Sequence, residues 1–401
     1  MKAQAASASE AGAEFLPNET IAFPGGRARV LRRGDLPENT AWRESFAPKA
    51  KDHRFYEIVE NTLDSGFEHY YLALEDDAGT VRGIQPVFFV EQNIVEGIPA
   101  LRAAVEFVRR AFPRFLTMRV LMAGCAAGEG HLGVVQPEDA AWVAAALGAS
   151  LPVFAKQRKA SLVVFKDFSV VYRQALRRLT SAGFARVPSM PMTRLALRAG
   201  DFESYLKTLS KATRKDLRRK FRKIADAAPI SCEVVNDVAL VVDEIYPLYL
   251  QVHERSSLKF ERLTKAYFCE LGARMPDKVR FFLWRQDGRM IAFSLALVHA
   301  GTIYDDYLGL DYRVALDQHL YFQTFRDIIR WAMAQGLETY CSSPLNYEPK
   351  LHLGCELVPL DLYVRHTSRL LNPIFGRAVQ WLEPTRHDRV LQRFPNAHEL
   401  R

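Results

Sequence analysis

The 401-residue chain has few of the features that mark a membrane protein, a secreted disulfide-rich protein or a metal-binding protein. No run approaches the roughly 18 apolar residues that a membrane-spanning helix needs. The N-terminus, MKAQAASASEAGAEF, lacks the apolar centre of a signal peptide. The five cysteines are odd in number, far apart and never in a CxxC pair, which argues against a disulfide framework or a zinc site. We therefore expect a cytoplasmic protein without a bound metal.

The chain has the composition of an ordinary globular protein with an excess of positive charge. It is 49% hydrophobic and 25% charged, and its length suits two domains of about 150 to 200 residues. The net charge of +8 favours anionic partners. The most basic stretch, LSKATRKDLRRKFRKI over residues 209–224, continues a stripe of cations that begins at Lys207, with Leu217 and Ile224 mostly opposite. It predicts an amphipathic helix that packs by its apolar side and attracts phosphate-bearing molecules with its basic side.

The two halves of the chain repeat one pattern. EHYYLALEDDAGTVRGIQPVFFVEQ and KVRFFLWRQDGRMIAFSLALVHAG each predict two strands joined by a turn, which the second places at Asp287 and Gly288. Further strand-like sequence and an amphipathic helix follow each hairpin; the first helix begins near Pro137, and the second runs from a capping Asp317 to Gly336. We predict an α/β (α+β) fold of two tandem domains, each a twisted mixed sheet flanked by helices. The predicted divisions are an irregular tail over 1–27, a first domain over 28–198, a second domain with a basic entry helix over 199–366, and a helical tail over 367–401.

Two adjacent carboxylates interrupt an apolar and aromatic strand in the second half. Asp305 and Asp306 lie in TIYDDYLGLD, where burying a charge without a partner is costly. Successive strand residues point to opposite faces, so only one of the two can enter a given cleft. Either the better placed carboxylate has a chemical role, or both cap a turn at the end of the strand.

A glycine-rich segment, GEGHLG over residues 128–133, satisfies the dinucleotide-binding pattern GxGxxG. A dinucleotide fold would begin its helix inside the motif and place an acidic residue about 20 positions further on. Here the helix begins late, near Pro137, and the next strand ends at Asp167, which is too distant. The segment is predicted to be a connecting loop that lines a substrate cleft.

The tandem repeat, the basic helix and the ending YDDYLGLDYRVALDQHLYFQTFRDIIRWAMAQGLETYCSSPLNYEPKLHLG together resemble the GNAT superfamily. Within it the chain is most similar, over about residues 28–364, to the Fem-type and cellulose-operon-type acyltransferases, in which a doubled fold carries one active site. The resemblance implies an N-acyltransferase that moves an acyl group from acyl-CoA to a small-molecule or lipid-linked amine, without a permanently bound cofactor. The loop LDYRVALDQ has no glycine where single-domain acetyltransferases bind pyrophosphate. Aminoacyl-tRNA, the donor of Fem-type enzymes, is therefore the alternative donor.

The resemblance also implies residue roles in a cleft in or next to the second domain. Acyl transfer needs a group that accepts the amine proton and a group that stabilises the oxyanion. We expect Asp305 or Asp306 to accept the proton and Lys350, which follows Tyr347 in NYEPK, to steady negative charge. His319 is expected to have a lowered pKa, because it lies in the first turn of a helix. The predicted substrate-binding residues are Tyr304, Tyr307, Tyr347, His319 and Arg214, and the predicted donor-binding residues are Arg313 and Gln318.

Other classes of function remain open on the sequence alone. A non-catalytic anion-binding or nucleic-acid-binding protein would use the basic helix, but that helix has few interleaved aromatics and no recognisable reading motif, so stable DNA binding is not expected. An acyltransferase fold that only binds a partner is a further alternative. The C-terminal piece, with Leu371, Ile374 and Val379 on one helical face beside Arg377, predicts either peripheral membrane contact or docking onto the body of the protein.

Overall fold

The computed structural model describes residues 19–36, 40–63, 66–93, 107–110, 117–226, 228–256, 259–381, 383–386 and 388–401. The strands are β1 (Thr20–Phe23), β2 (Gly26–Leu31), β3 (Glu68–Asp76), β4 (Val81–Asn93), β5 (Thr117–Ala123), β6 (Leu162–Ser169), β7 (Ala185–Ala196), β8 (Ile230–Val235), β9 (Val279–Gln286), β10 (Arg289–His299), β11 (Thr302–Leu310), β12 (Thr339–Ser342) and β13 (Glu356–His366). The α-helices of the described residues are α1 (Thr40–Phe46), α2 (His53–Thr62), α3 (Ala140–Gln157), α4 (Arg173–Ser181), α5 (Phe202–Thr208), α6 (Lys211–Ala225), α7 (Val242–Arg255), α8 (Lys265–Arg274), α9 (Leu320–Ala334), α10 (Tyr347–His352) and α11 (Asn372–Trp381).

The predicted repeat is present in the order and pairing of these elements. In the first half, the β3–β4 hairpin leads to β5, and α3 then connects β5 to the parallel strand β6. In the second half, the β9–β10 hairpin leads to β11, and α9 connects β11 to the parallel strand β12. The turn between β9 and β10 has positive φ angles at Asp287 and Gly288, as a tight two-residue hairpin requires. The predicted α/β class with two tandem units is confirmed.

The sheets of the two halves are joined into one, which the sequence did not predict. The thirteen strands follow the order β1-β2-β3-β4-β5-β6-β13-β7-β12-β11-β10-β9-β8. The last strand, β13, enters the first half and pairs antiparallel with both β6 and β7, while β7 also pairs with β12. The predicted division after residue 198 therefore does not divide the sheet, because β13, which follows it in the chain, pairs with strands that precede it.

One hydrophobic core contains residues of both halves and crosses the boundary between them, which we call the seam. It includes Phe55 and Tyr56 of α2 together with Tyr267 and Phe268 of α8 on the same face of the sheet. The opposite face has a separate core in each half, under α3 and α4 in the first and under α5, α6 and α9 in the second. The shared core fixes the position of one half against the other.

Two local boundaries differ from those predicted. The basic stretch is two helices, because Ser210 caps α6 through the backbone N–H of Thr213, so Lys207 belongs to α5 and not to one continuous stripe. Leu217 and Ile224 are buried, as predicted for the docking side. Residues 1–18 of the predicted irregular tail lie outside the described residues, whereas Thr20–Phe23 within that tail form β1. Over the described part of the chain, no helix is long and apolar enough to cross a membrane.

Candidate active site

The candidate active site is the place where β11 and β12 separate. The two strands pair in parallel from Thr302 opposite Thr339 to Asp305 opposite Ser342, where β12 ends. On its other side, β11 continues to pair with β10 as far as Leu310. The carbonyl oxygen of Asp305 still accepts from the backbone N–H of Ser343 at 3.2 Å. Beyond Asp305, no strand of the described residues pairs with the edge of β11 that faces β12, so the backbone groups there are open to another hydrogen-bonding partner.

A β-bulge on β11 sets the direction of the two predicted carboxylates. Leu295 of β10 lies opposite Tyr307 and Ala296 lies opposite Asp305, which leaves Asp306 as the extra residue. Bulges re-aim side chains and are frequent beside active sites. Asp305 and Asp306 contact different groups on opposite faces of the sheet, as the sequence predicted. Each lies in its own buried polar cluster.

Asp306 lies in a cluster of charges at the seam between the halves. Its Oδ2 atom is 3.1 Å from Nζ of Lys51, and that amine also donates to Oε2 of Glu129 at 2.5 Å. The Lys51 side chain is only 3% exposed. His131 extends the cluster, because its Nε2 is 3.5 Å from Glu129 and its Nδ1 lies within hydrogen-bond distance, 3.1 Å, of the Tyr172 hydroxyl. We call Lys51, Glu129, His131 and Asp306 the seam cluster.

The local backbone places each member of the seam cluster. Lys51 directly precedes Asp52, which caps α2, and Glu129 and His131 come from the GEGHLG loop. Gly128 of that loop has φ of +104°, and a Cβ atom there would lie 2.4 Å from the amine of Lys51. The α-helix begins only at Ala140, so the loop is a connection and not a dinucleotide site, as predicted. Its glycines allow close backbone approach to the seam.

Burial and charge act against each other within the cluster. Burial raises the pKa of Asp306, an effect that the Lys51 charge opposes and the Glu129 charge reinforces. Burial alone would lower the pKa of Lys51, but the two carboxylates hold it above its ordinary value. Burial likewise lowers the pKa of His131 and favours its neutral form. Asp306 is thus a carboxylate whose proton affinity is increased toward the neutral range, which suits a general base.

Two buried tyrosine hydroxyls next to the cluster have no hydrogen-bond partner among the described residues. They belong to Tyr56 of α2 and Tyr267 of α8. Burial raises the pKa of both phenols, and the charges of Glu129 on Tyr56 and of Asp306 on Tyr267 add to that rise. An unpaired buried hydroxyl costs about 1 to 3 kcal/mol. A polar atom bound beside the seam cluster would satisfy these donors.

Asp305 and Lys350 lie together on the opposite face. Asp305 accepts hydrogen bonds from the hydroxyls of Ser294 and Tyr340, the second at 2.7 Å. The buried amine of Lys350 donates to the carbonyl oxygen of Ser343 at 2.5 Å. Burial lowers the pKa of Lys350 to about 8 and raises that of Asp305. The predicted catalytic residues Asp305, Asp306 and Lys350 therefore do not form one constellation, because the sheet separates Asp306 from the other two.

The predicted tyrosines are divided between the same two faces. Tyr304 and Tyr307 pack against the core that crosses the seam, and the Tyr307 hydroxyl donates to Glu261 at 2.8 Å. Tyr347 is buried at the start of α10 and donates to the carbonyl oxygen of Pro191. On the seam side, the Tyr307 hydroxyl is therefore bonded to a carboxylate, whereas no such bond is seen for Tyr304 among the described residues.

The start of α9 faces the basic helix α6. His319 occupies the N-cap position with a left-handed backbone, so the predicted cap Asp317 is displaced from that role. Burial lowers the pKa of His319, as expected in direction, and the charges of Lys223 and Lys220 lower it further. The N-terminus of a helix and nearby cations together form a favourable environment for phosphate.

Other predicted binding residues are already engaged in protein contacts. Arg313 forms a bidentate pair with Asp311. Gln318 donates through its side chain to Gln286 of β9, and Arg214 donates to two backbone carbonyls at the end of α5. These contacts leave their assignment to donor or substrate as a prediction.

Lys51 and Tyr267 were not predicted from the sequence, and Glu129 and His131 were quoted there only as part of the GEGHLG loop. Lys51 lies in an unremarkable polar stretch, and its partners are distant in the chain, so no local pattern marks it. The sequence does contain a weak indication of Glu129 and His131. They are the acid and the histidine of GEGHLG, a loop that was predicted to line a cleft.

The second half matches a known domain family. Residues 211–349 match the acetyltransferase (GNAT) domain family. This stretch runs from α6 into α10 and includes the open edge of β11, both carboxylates and the start of α9, and it ends just before Lys350. No curated protein matches the chain.

The chain is also similar to several solved structures at low sequence identity. FemX is 12% identical, with a TM-score of 0.49, over 82% of this chain and 93% of that chain. The C-terminal domain of a putative lysylphosphatidylglycerol synthetase from Agrobacterium fabrum is 13% identical, with a TM-score of 0.48, over 86% and 96%. A tandem GNAT protein from the clavulanic acid biosynthesis pathway is 10% identical, with a TM-score of 0.47, over 85% and 99%.

The predicted resemblance to the GNAT superfamily is confirmed by the domain match. The matched stretch, residues 211–349, is accordingly a GNAT domain of the acyltransferase class, and it lies in the second half of the chain.

Proposed function

We propose that this protein transfers an acyl group from a phosphate-bearing thioester donor of the acyl-CoA type to an amine at the open edge of β11. One observation supports the proposal most directly. The unpaired edge of β11 lies next to Asp306, a buried carboxylate whose pKa is raised. The edge ends its pairing at Asp305, and Asp306 follows directly in the bulge.

The chemical step uses the seam side of β11. The amine nitrogen attacks the carbonyl carbon of the thioester, a C–N bond forms, and the C–S bond breaks after the tetrahedral intermediate. Asp306 accepts the proton released by the amine, and that proton passes on to the departing thiolate. Backbone groups of the open edge orient the acyl carbonyl, so that much of the rate acceleration comes from positioning.

The seam cluster prepares Asp306 for this role. Lys51 orients the carboxylate and limits the rise in its pKa, while Glu129 keeps that pKa from falling to the value of an ordinary ion-paired aspartate. Tyr267 offers an unpaired hydroxyl beside Asp306. On the other face, Asp305 ties β10, β11 and β12 together through Ser294 and Tyr340. In this proposal Asp305 and Lys350 stabilise β11 from the face opposite the seam cluster and do not contact the substrate.

The donor phosphates would lie at the start of α9. Lys220 and Lys223 of α6 are close enough to lower the pKa of His319 there, whereas Asp216, which pairs with Lys220 at 2.6 Å, acts in the opposite direction. Several cations of α6 are balanced within the protein, for example Arg218 by Glu203 and Arg219 by Asp216. The helix thus supports a local phosphate site better than a general nucleic-acid surface.

The test compares donor binding and transfer in matched variants. Acetyl-CoA, longer acyl-CoAs and aminoacyl-tRNA are screened for thermal stabilisation, and the stabilising donor is then assayed for thiol or tRNA release with a panel of amines. Asp306→Asn is expected to lose at least about 100-fold in kcat/KM while still binding the donor, and Asp77→Asn in the exposed β3–β4 turn should match the parent. Stabilisation by aminoacyl-tRNA alone would replace acyl-CoA with that donor, and an Asp306→Asn variant of full activity would remove the proposed base.

A further inference from the structure

The C-terminal helix α11 and the turn before it present a stripe of apolar side chains to solvent. Leu370 is 86% exposed, Leu371 51%, Ile374 67% and Trp381 73%. Leu371, Ile374, Ala378 and Trp381 follow the i, i+3, i+7, i+10 spacing of one helical face. We call Leu370, Leu371, Ile374 and Trp381 the apolar stripe. Large apolar side chains grouped in this way on a surface mark an interaction site.

The body of the protein holds the helix in a fixed orientation. Phe375 and Val379 lie on the other side of α11 and pack against the core that crosses the seam. The prediction that Val379 shares a face with Leu371 and Ile374 is therefore wrong, since those two side chains are exposed. Asn372 fastens the start of the helix, because its side chain accepts from the backbone N–H of His366 and donates to the carbonyl oxygen of Gly183. Docking onto the body, one of the two predicted alternatives, therefore occupies one face of the helix only. The apolar stripe is the face left over.

The charge around the stripe is of one sign. Residues 362–381 contain Arg365, Arg369, Arg377 and His366 and no aspartate or glutamate. None of the three arginines forms an ion pair with a carboxylate among the described residues. Burial lowers the pKa of Arg365, and the charge of Arg369 lowers it further, as expected where positive charge is not balanced. Only anionic partners gain from this potential.

We propose that the apolar stripe and its arginines dock on an anionic lipid surface, with α11 lying in the plane of the interface. An interfacial helix combines an apolar face, a tryptophan at the boundary and flanking cations, and α11 has each of these. A second copy of the chain fits less well, because a symmetric contact through the stripe would bring the same three arginines against each other. The proposal stands independently of the acyl-transfer mechanism, since no residue of the stripe belongs to the seam cluster.

Vesicle binding tests the proposal on the full chain. Flotation with vesicles of phosphatidylcholine containing phosphatidylglycerol is compared with flotation with phosphatidylcholine alone, at low and high salt. Preferential binding to the anionic vesicles, weakened by salt, is expected. A blue shift of tryptophan emission is also expected, because Trp381 is 73% exposed, whereas Trp42 and Trp284 are buried and Trp142 and Trp331 are partly buried.

Two variants and a matched control locate the surface. Ile374→Glu with Trp381→Glu should weaken binding by about tenfold or more, and Arg369→Gln with Arg377→Gln should remove most of the preference for anionic vesicles. Leu240→Glu with Val171→Glu places the same two charges at apolar residues outside the stripe that are 100% and 75% exposed, and it should bind like the parent.

Three results would overturn the proposal. The first is absence of vesicle binding by the parent. The second is equal weakening by the control variant Leu240→Glu with Val171→Glu. The third is a concentration-dependent dimer that Ile374→Glu with Trp381→Glu abolishes, with vesicle binding left unchanged by that variant. The folded state of each variant is checked by its circular dichroism. Acyl transfer to a soluble amine is measured separately, so failure of vesicle binding is distinguishable from failure of the proposed catalysis.

Discussion

Replacement of Lys51 by methionine removes the only cation that lies between Glu129 and Asp306 in the described seam cluster. Both carboxylates are buried, and the amine is 2.5 Å from one and 3.1 Å from the other. Removing one partner of a buried ion pair typically destabilises a protein by about 3 to 5 kcal/mol, because an uncompensated charge stays behind. Here two carboxylates lose their cation, so we expect a loss in the free energy of unfolding at the upper end of that range at pH 8.

The loss should depend on pH in a defined direction. In the parent the pKa of Glu129 is lowered in the folded state, so its contribution to stability is present above the unfolded pKa and is lost as the pH falls through the folded pKa. Without Lys51, burial raises the folded pKa of both carboxylates above their unfolded values of about 4. The folded variant then binds more protons than the unfolded chain, and its stability falls as the pH rises. The difference from the parent should be smaller at pH 5 than at pH 8.

Denaturant unfolding followed by circular dichroism at the two pH values measures this effect. Lys265→Met is the control, since Lys265 pairs with Asp243 on the surface with side chains that are 50% and 82% exposed. Its denaturation midpoint should stay close to that of the parent at both pH values, because exposed ion pairs contribute little to stability. Adding Glu129→Gln to Lys51→Met should restore part of the stability, which keeps the test interpretable if the single variant folds poorly. A Lys51→Met protein as stable as the parent at pH 8 would refute the argument that the cluster is a desolvated ion network.

Three further predictions address packing, the distant ion network and the pH dependence of activity. Gly133→Ala should destabilise the protein by more than about 2 kcal/mol, because its Cβ would lie 2.0 Å from the carbonyl oxygen of Ile84. The control is Gly34→Ala, which has open space around the new Cβ and should not change the stability measured by thermal melting. Asp361→Asn should cost about 1 to 3 kcal/mol in denaturant unfolding, since this buried carboxylate accepts from Arg173 and Arg186; unchanged unfolding would show that water replaces the contact. If Asp306 is the base, kcat/KM should rise with pH through a pKa above the ordinary aspartate value of about 4 and then level off, and a profile without this limb would contradict the assignment.

Local patterns predicted most of the elements and the opposite directions of the two carboxylates. The hairpin at Asp287 and Gly288 and the buried positions Leu217 and Ile224 follow from turn chemistry and helical periodicity, which act over a few residues. The insertion of β13 between β6 and β7 does not, because each of these strands has a plausible partner within its own half. Strand pairing is decided by contacts between distant segments, and a single sequence does not report them.

The same limit explains why three of the four residues of the seam cluster were missed. Asp306 was found because two acids in an apolar strand are unusual locally. Lys51 was not, since its hydrogen bond to Glu129 spans 78 residues of chain and a polar stretch on its own gives no sign of burial. The bulge that places Asp306 on the seam side is likewise a mismatch between two strands and cannot be read from either strand alone.

The seam cluster links the integrity of the site to the doubling of the fold. The proposed base belongs to the second half, within the stretch that matches the GNAT domain family, but its cation and the second carboxylate belong to the first. β12, which ends where the open edge begins, has β7 of the first half as its other neighbour. A lone second half would therefore expose the far edge of β12 and leave Asp306 without Lys51. The first half thus contributes stability and electrostatic tuning to a site whose strand lies in the second, and this division accounts for one proposed active site in a chain with two similar units.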